Sequence, residues 1–470
     1  MVIVSHGAVA LALAWWAFGL THATGGRDPW ALTLAMPSAL LALAAVRPWR
    51  VLSARSLGLA GAVSLAPVLV CLIDPTHWFG ADQAATYAYS AALFVTVRAY
   101  AVSSARRTAV LAVVLGAGMA QFAWSMIAWV GGGDPAAVMS GTFYWYNQYA
   151  AFLLAPAIIG AGVAALGSGQ LRLAGTVTAA LGSAGVILST SRASMAQLGA
   201  GWIAAGLLAV LSRKGAKDRG LAGVRWLALA AVAAALTMTL PGPPFFAHRV
   251  AALASTAARN SQESVSQNGG FRMQFWQQAL RIFGHHPLTG TGFGSFGRQS
   301  GLVDPHGAHS TLVHSGLIQP LSDGGLLLGA PFLLACALVG LGLLRRLLPS
   351  VWSADQGAVT LVALVALVVV VHSAVDFDWT YPSLMALSAI LAGAALSWSP
   401  VPATEPAAAG SRTSAAGLVA CVVLAAAAVV LAQQATRGGW KLSAPVPHPS
   451  ALATTASITT SLPVTGEPAS

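Results

Sequence analysis

Three histidines lie close together at His306, His309 and His314, two arginines border apolar runs at Arg192 and Arg272, and His372, Asp376 and Asp378 follow further along. These are the residues with the types to do chemistry. Histidine titrates near neutrality, so it can take the proton of a hydroxyl nucleophile. A guanidinium presents a fork of donors that matches phosphate oxygens, and a carboxylate can orient a histidine. Together they suggest proton transfer beside an anionic phosphate group. Plainer readings stand next to this one. Arg192, in STSRAS (189–194), could be an anchor that reaches the membrane interface from a helix end. Arg272 could be a solvated charge, and His372, Asp376 and Asp378 could cap and hydrate a helix end. The histidine spacing could converge on zinc, but Asp304 is the one further ligand nearby, so no metal is expected. The GxGxxG of Gly292, Gly294 and Gly297 follows no strand and opens no βαβ unit, so it reads as a tight turn and not as a dinucleotide site.

The elements that must position these groups are apolar. Hydrophobic residues make up 56% of the 470-residue chain and charged residues 8%, against roughly 25% charged in a soluble domain. Runs long enough to cross about 30 Å of hydrocarbon recur throughout. About thirteen spans are expected, near 3–20, 30–46, 56–73, 84–100, 108–130, 149–166, 173–190, 193–211, 224–240, 317–344, 357–373, 383–398 and 414–433. The first lacks a basic start and a small-residue cleavage site, so it is expected to be retained. The expected fold is an all-α polytopic integral membrane protein of 12–13 transmembrane helices. It divides into membrane helices over 1–240, one long extracytoplasmic loop over 241–316, further membrane helices over 317–433 and a disordered tail over 434–470, rich in Pro, Ser and Thr.

Orientation follows from the basic residues. Arg47, Arg50, Arg55, Arg98, Arg106, Arg107, Arg172, the group from Arg213 to Arg225, Arg345, Arg346 and Arg412 all fall in loops on one side of this arrangement, which is therefore cytoplasmic. Asp28, Asp74, Asp82 and Asp134 fall on the other. The net charge of +11 thus reads as topology, and no basic patch interleaved with aromatics points to nucleic acid. The 241–316 loop and the ends of the spans near 190 and 373 then share the extracytoplasmic side, where nucleoside triphosphates are absent. An activated substrate must arrive there on a membrane carrier. Within the loop, residues 271–284 have helical spacing, with Phe271, Phe275, Trp276, Ala279, Leu280 and Phe283 on one face, Gln274, Gln277, Gln278 and Arg281 opposite, and Gly284 as a C-cap. This is expected to be a helix in the membrane interface. Cys71, Cys336 and Cys421 lie inside apolar runs and form no ligand or disulfide pattern.

Several strings, in order, resemble the O-antigen ligase and polysaccharide polymerase superfamily of bacterial membrane proteins. GTFYWYNQYAAFLLAP (141–156) is similar to its Asn-containing segment, with Asn147 at the second Asn. Ser191-Arg192 stands at a span end. Arg272, Trp276, Ala279, Leu280, Pro287, Leu288, Gly290, Gly292, Gly294 and Phe296 follow the next motif, and HSGLIQPLSDGGLLLG resembles the hallmark segment through His314, Gln319, Asp323 and Gly325. HSAVDFDWTYP (372–382) is similar to the last motif. Departures are Trp145 and Gln148 for an Asn and a His, Ser315 for Asn and Asp323 for Glu. His309-Ser310 repeats the start of the hallmark, so His309 rivals His314, although the distance to Asp323 and Gly325 favours His314. The resemblance implies transfer of a glycan from undecaprenyl diphosphate to a saccharide or lipid-anchored acceptor on the periplasmic face of the inner membrane, with no metal, cofactor or nucleotide sugar. It implies His314 as the base, Arg192 and Arg272 as diphosphate ligands, and His309, Asp323, His372, Asp376 and Asn147 as supporting residues. Ligase and polymerase share these landmarks. The other reading is a solute or anion transporter with Arg192 and His372 on its path. That architecture is expected to have broken spans near the midplane of corresponding halves, whereas the polar residues here cluster at the outer boundary.

Overall fold

A computed structural model describes residues 2–397 apart from 74–78, 136, 212–216, 241, 260–261 and 349–353. Its helices are α1 (Val2–Ala14, continued by a π-turn through Leu20), α2 (Pro29–Val46), α3 (Ala54–Ile73), α4 (Phe79–Tyr100), α5 (Ser104–Gly131), α6 (Tyr146–Leu166), α7 (Gly169–Leu188) and α8 (Arg192–Leu211). They continue with α9 (Lys217–Thr237), α10 (Pro243–Arg259), α11 (Gln262–His285), α12 (Phe296–Val303), α13 (Gln319–Leu347), α14 (Ala354–Ala374) and α15 (Pro382–Leu396). No strand occurs among the described residues. Among the described residues eight stretches are long and apolar enough to cross a membrane, and three shorter apolar helices join them. The protein is an all-α, polytopic membrane protein. Twelve of the expected spans each coincide with one helix, among them α4, whose apolar character is diluted by Asp82, Arg98 and its Tyr and Thr residues. The span near 414–433 and the tail over 434–470 lie outside the described residues.

α6 is the axis of the bundle. It packs against α5, α7, α8, α9 and α14, and nearly all its side chains are buried. Without a hydrophobic drive between helices in lipid, small residues permit the close backbone contact that holds them. A Cβ on Gly160 would come 2.7 Å from the Ala179 nitrogen, and one on Gly175 would come 2.6 Å from that of Ala164. α15 meets α4 in the same way at Gly393. The first segment is tied in by polar bonds at the other end of α15: Trp16 Nε1 donates to the Ser383 carbonyl at 3.0 Å, and Ser383 Oγ to that of Gly25 at 2.6 Å.

α11 is longer than the 271–284 stretch, and its apolar face splits. Phe275, Ala279 and Ile282 are buried against Phe296 and Val313, while Phe271 and Leu280 are each 48% exposed. Gln278, expected on the polar face, is fully buried and donates to Asp304 and to the Ala308 carbonyl. The helix is therefore half a support for the loop that follows and half an apolar surface. After it, Gly290, Gly292 and Gly294 all adopt positive φ, a conformation glycine reaches at no steric cost. This turn bonds to a break in α13 at Gly325 (φ 55, ψ −147), where Leu326 and Leu327 donate to the carbonyls of Pro287 and Leu288, and Thr291 and Gly292 to those of Ser322 and Asp323. Helix polarity then puts the starts of α6, α8 and α13 and the end of α14 at one end of the bundle. Arg98, Arg345 and Arg346 sit at the opposite end, in the last turns of α4 and α13.

Candidate active site

Asp376, on the short connection between α14 and α15, is the hub of that first end. It is buried at 4% exposure, and Arg272 Nη2 reaches its Oδ2 at 3.1 Å. His314 Nδ1 faces its Oδ1 at 3.5 Å, long for a hydrogen bond. Asn147 Nδ2 donates to Oδ2 and Gln148 Nε2 to Oδ1, each at 3.4 Å, and the Phe377 amide donates to Oδ1 at 2.8 Å. Burial acts to raise its pKa, but the His314 interaction and the charges of Arg272 and His372 outweigh it and hold the carboxyl below its ordinary value. An ionised Asp376 favours the tautomer of His314 with the proton on Nδ1, which leaves Nε2 as the acceptor.

His314 has its ring held between aromatic neighbours and keeps a partly exposed edge. Its ring stacks on Phe275 at 5.5 Å between centroids and meets Phe377 edge-on at 4.7 Å. Its carbonyl accepts from Trp276 Nε1 at 3.2 Å. The backbone is left-handed, with φ 56, a region that costs a non-glycine residue energy and persists where the surroundings impose it. Here they do: the next amide but one, Gly316, donates to the carbonyls of Ser373 and Asp376. Asp323 acts one step further back. It accepts from Gln319 Nε2 at 2.9 and 3.0 Å, and Gln319 Oε1 accepts from the Val313 amide at 2.8 Å. Asp323 therefore sets the backbone just before His314 and does not itself face the ring.

A second buried chain runs beside the first. His372 Nδ1 lies 2.6 Å from Asp378 Oδ2, and its Nε2 lies 3.1 Å from Ser194 Oγ, which accepts from Ser191 Oγ at 3.0 Å. Ser373 also donates to Asp378 Oδ2 and Gln148 to Asp378 Oδ1. His372, Asp378, Ser194 and Ser191 are all at or below 1% exposure. This resembles a nucleophilic triad in its order, but a serine with no exposed surface cannot reach a substrate. The chain instead clamps the first turn of α8 to the end of α14, and with it the exposed Arg192. Thr190, just before that turn, has φ 59. Arg192, Arg272 and Asp376 all lie near enough to the Tyr146 hydroxyl at the start of α6 to act on it electrostatically.

The structure thus gathers Arg192, Arg272, His314, His372, Asp376 and Asn147 at one end of the bundle, with Asp323 behind His314. His309 lies apart: it is exposed and sits beside Gly301 of α12. His306 is exposed as well. Sequence reasoning missed three participants. Gln148 was read as a departure from a motif, yet it joins the two carboxylates. Ser194 stands in the STSRAS string and Phe377 beside Asp376, and the sequence singles out neither. The available signal was local: Asn147-Gln148 and Asp376-Phe377-Asp378 place polar side chains at the start of one span and just beyond the end of another, where each needs a partner.

Residues 177–333 match the family model described as O-antigen ligase. No curated protein matches the chain. The matched stretch runs from within α7 into α13 and holds Arg192, Arg272, His309, His314 and Asp323. Asn147, Gln148, His372, Asp376 and Asp378 come from outside it and complete the cluster. The stretch around which the polar end of this helical bundle is built is thus similar to the O-antigen ligase family.

Proposed function

We propose that the protein transfers a glycan from an undecaprenyl diphosphate carrier to the hydroxyl of a saccharide or lipid-anchored acceptor, on the periplasmic face of the inner membrane. The observation that carries this reading is Asp376 holding Arg272 and facing His314, so that one carboxylate sets both a base and a cation. In the reaction, His314 Nε2 takes the acceptor hydroxyl proton as that oxygen bonds to the anomeric carbon. The bond from that carbon to the carrier diphosphate breaks, and the diphosphate leaves with the electron pair. Arg192 and Arg272 meet the negative charge that develops on it, the kind of electrostatic stabilisation that dominates such steps. One Arg272 nitrogen is engaged by Asp376, and Nε and Nη1 make no hydrogen bond among the described residues. This reading calls on no metal ion for that charge. The half-exposed apolar face of α11 lies beside the site and supports entry of a lipid-linked donor from the interface.

The test is the glycan profile of a deletion strain complemented with wild type, His314→Ala or Arg192→Ala. Accumulated carrier-linked long chains mark a ligase, and single carrier-linked repeat units mark a polymerase. A normal profile in the deletion strain, under conditions where the gene is expressed, removes the transferase reading.

A further inference from the structure

A blind crevice of about 390 Å3 opens at the opposite end of the bundle, between α3, α4, α13 and α15. Its walls are apolar, among them Phe94 and Val339, and its mouth carries Arg55 and Arg98. Its inner end is closed by three rings: Tyr87 and Phe332 meet edge-on at 5.2 Å, and Phe332 and Trp379 at 5.4 Å. The volume falls within the roughly 300–1,000 Å3 typical of small-molecule sites. From Arg98 to Tyr87 along α4 the depth is about 16 Å at 1.5 Å per residue, close to half of the roughly 30 Å hydrocarbon core. The crevice is therefore one leaflet deep.

Its mouth is strongly basic. Arg98 Nη1 donates to Ser56 Oγ at 3.3 Å, and its guanidinium lies over the Phe94 ring at 6.0 Å, so it is held at the opening. Arg346 is near enough to act on Arg98 by like-charge repulsion. Among the described residues no ion pair involves Arg55 or Arg98. Basic pockets between membrane helices on the cytoplasmic side are suited to anionic headgroups. We propose that this crevice is a binding site for one anionic glycerophospholipid, with its phosphate at Arg55, Arg98 and Arg346 and one acyl chain lying along α4 as far as Tyr87. A single-leaflet depth with a closed end fits an acyl chain and not a polyprenyl tail long enough to cross the membrane. The basic mouth lies at the opposite end of the bundle from the cluster around Asp376, and only the inner rings approach that cluster, through Trp379 against Gly316; the lipid proposal is therefore tested apart from the transferase reading.

The experiment uses the full chain in nanodiscs of phosphatidylcholine with a minority of phosphatidylglycerol, released for native mass spectrometry. Wild type is expected to retain phosphatidylglycerol over phosphatidylcholine with about one lipid per chain. The double variant Arg55→Gln, Arg98→Gln is expected to lower that retention by about 10- to 30-fold, since each basic residue near an anionic headgroup contributes about 1 kcal/mol. Ala335→Phe, which fills the crevice without changing its charge, is expected to abolish it while the protein still melts cooperatively. Equal retention of the two lipids overturns the proposal. So does retention that neither variant changes, or preferential retention of added polyprenyl phosphate.

Discussion

Asp376 brings one charge to bear on two functional groups, and its removal separates their effects. In the proposed reaction, His314→Ala is expected to lower transfer by about 10²- to 10⁴-fold, the usual contribution of a general base, with insertion and melting unchanged. His309→Ala is expected to stay near wild type because its side chain is exposed and away from Asp376. The reverse pattern in a product assay would exchange their assignments. Asp376→Asn retains the shape but loses the charge that orients His314 and pairs with Arg272. The folded carboxyl titrates below its ordinary value, about 3.9 in an unfolded chain. Its ionised form therefore stabilises the fold fully above that value, and the contribution is lost as pH falls through the folded value. The gap in melting temperature between wild type and Asp376→Asn should narrow on acidification below about pH 4. A gap that stays constant down to pH 3 would contradict the charge assignment.

At the scale of elements, two joints control the site. The first is the clamp between α8 and α14. His372→Ala leaves Asp378 buried without its closest partner, and breaking a buried charged pair of this kind costs about 3–5 kcal/mol. The expected signature is a lower melting temperature with a KM for the lipid-linked donor that rises more than kcat falls, because the turn that bears Arg192 loosens. A loss confined to kcat would argue that His372 takes part in the chemistry itself. The second joint is the break at Gly325, whose φ and ψ lie where almost only glycine is found. A Cβ there would come 2.5 Å from the Leu288 carbonyl carbon. Gly325→Ala should therefore destabilise by at least about 1–3 kcal/mol, measured by thermal melting, and should disorder the 287–294 turn. Wild-type stability in that variant would show that the break is incidental.

For the molecule as a whole, the prediction is an orientation. Cysteine substituted at position 309 should be labelled by an impermeant thiol reagent from outside the inner membrane, and cysteine at position 50 should not. The opposite pattern would reverse the compartment of the proposed chemistry. Most of the membrane helices among the described residues were legible in the sequence because long apolar runs carry their own signal of length. The cationic residues and His314 were legible as types, and their arrangement was not. Asp376 meets Arg272 across 104 residues and Gln148 across 228, and spacing along a chain says nothing about which helix ends meet. The left-handed turns at Thr190 and His314 were hidden because neither residue is glycine. The first part of α11 was missed because QESVSQNGG, polar and closing on two glycines, has no apolar face to reveal a helix.

Gln148 offers its side-chain amide to Asp376 and Asp378 at once, at 3.4 and 3.2 Å. In the proposed reaction one carboxylate belongs to the group that would address the acceptor and the other to the clamp that would set a donor ligand, so the two halves would share a hinge pin. Variation that adapts the protein to a new sugar therefore has little freedom at this position, because a shift that suits one partner disturbs the other. Diversification has room instead in the exposed stretch around His306 and His309, which can change shape without moving either carboxylate.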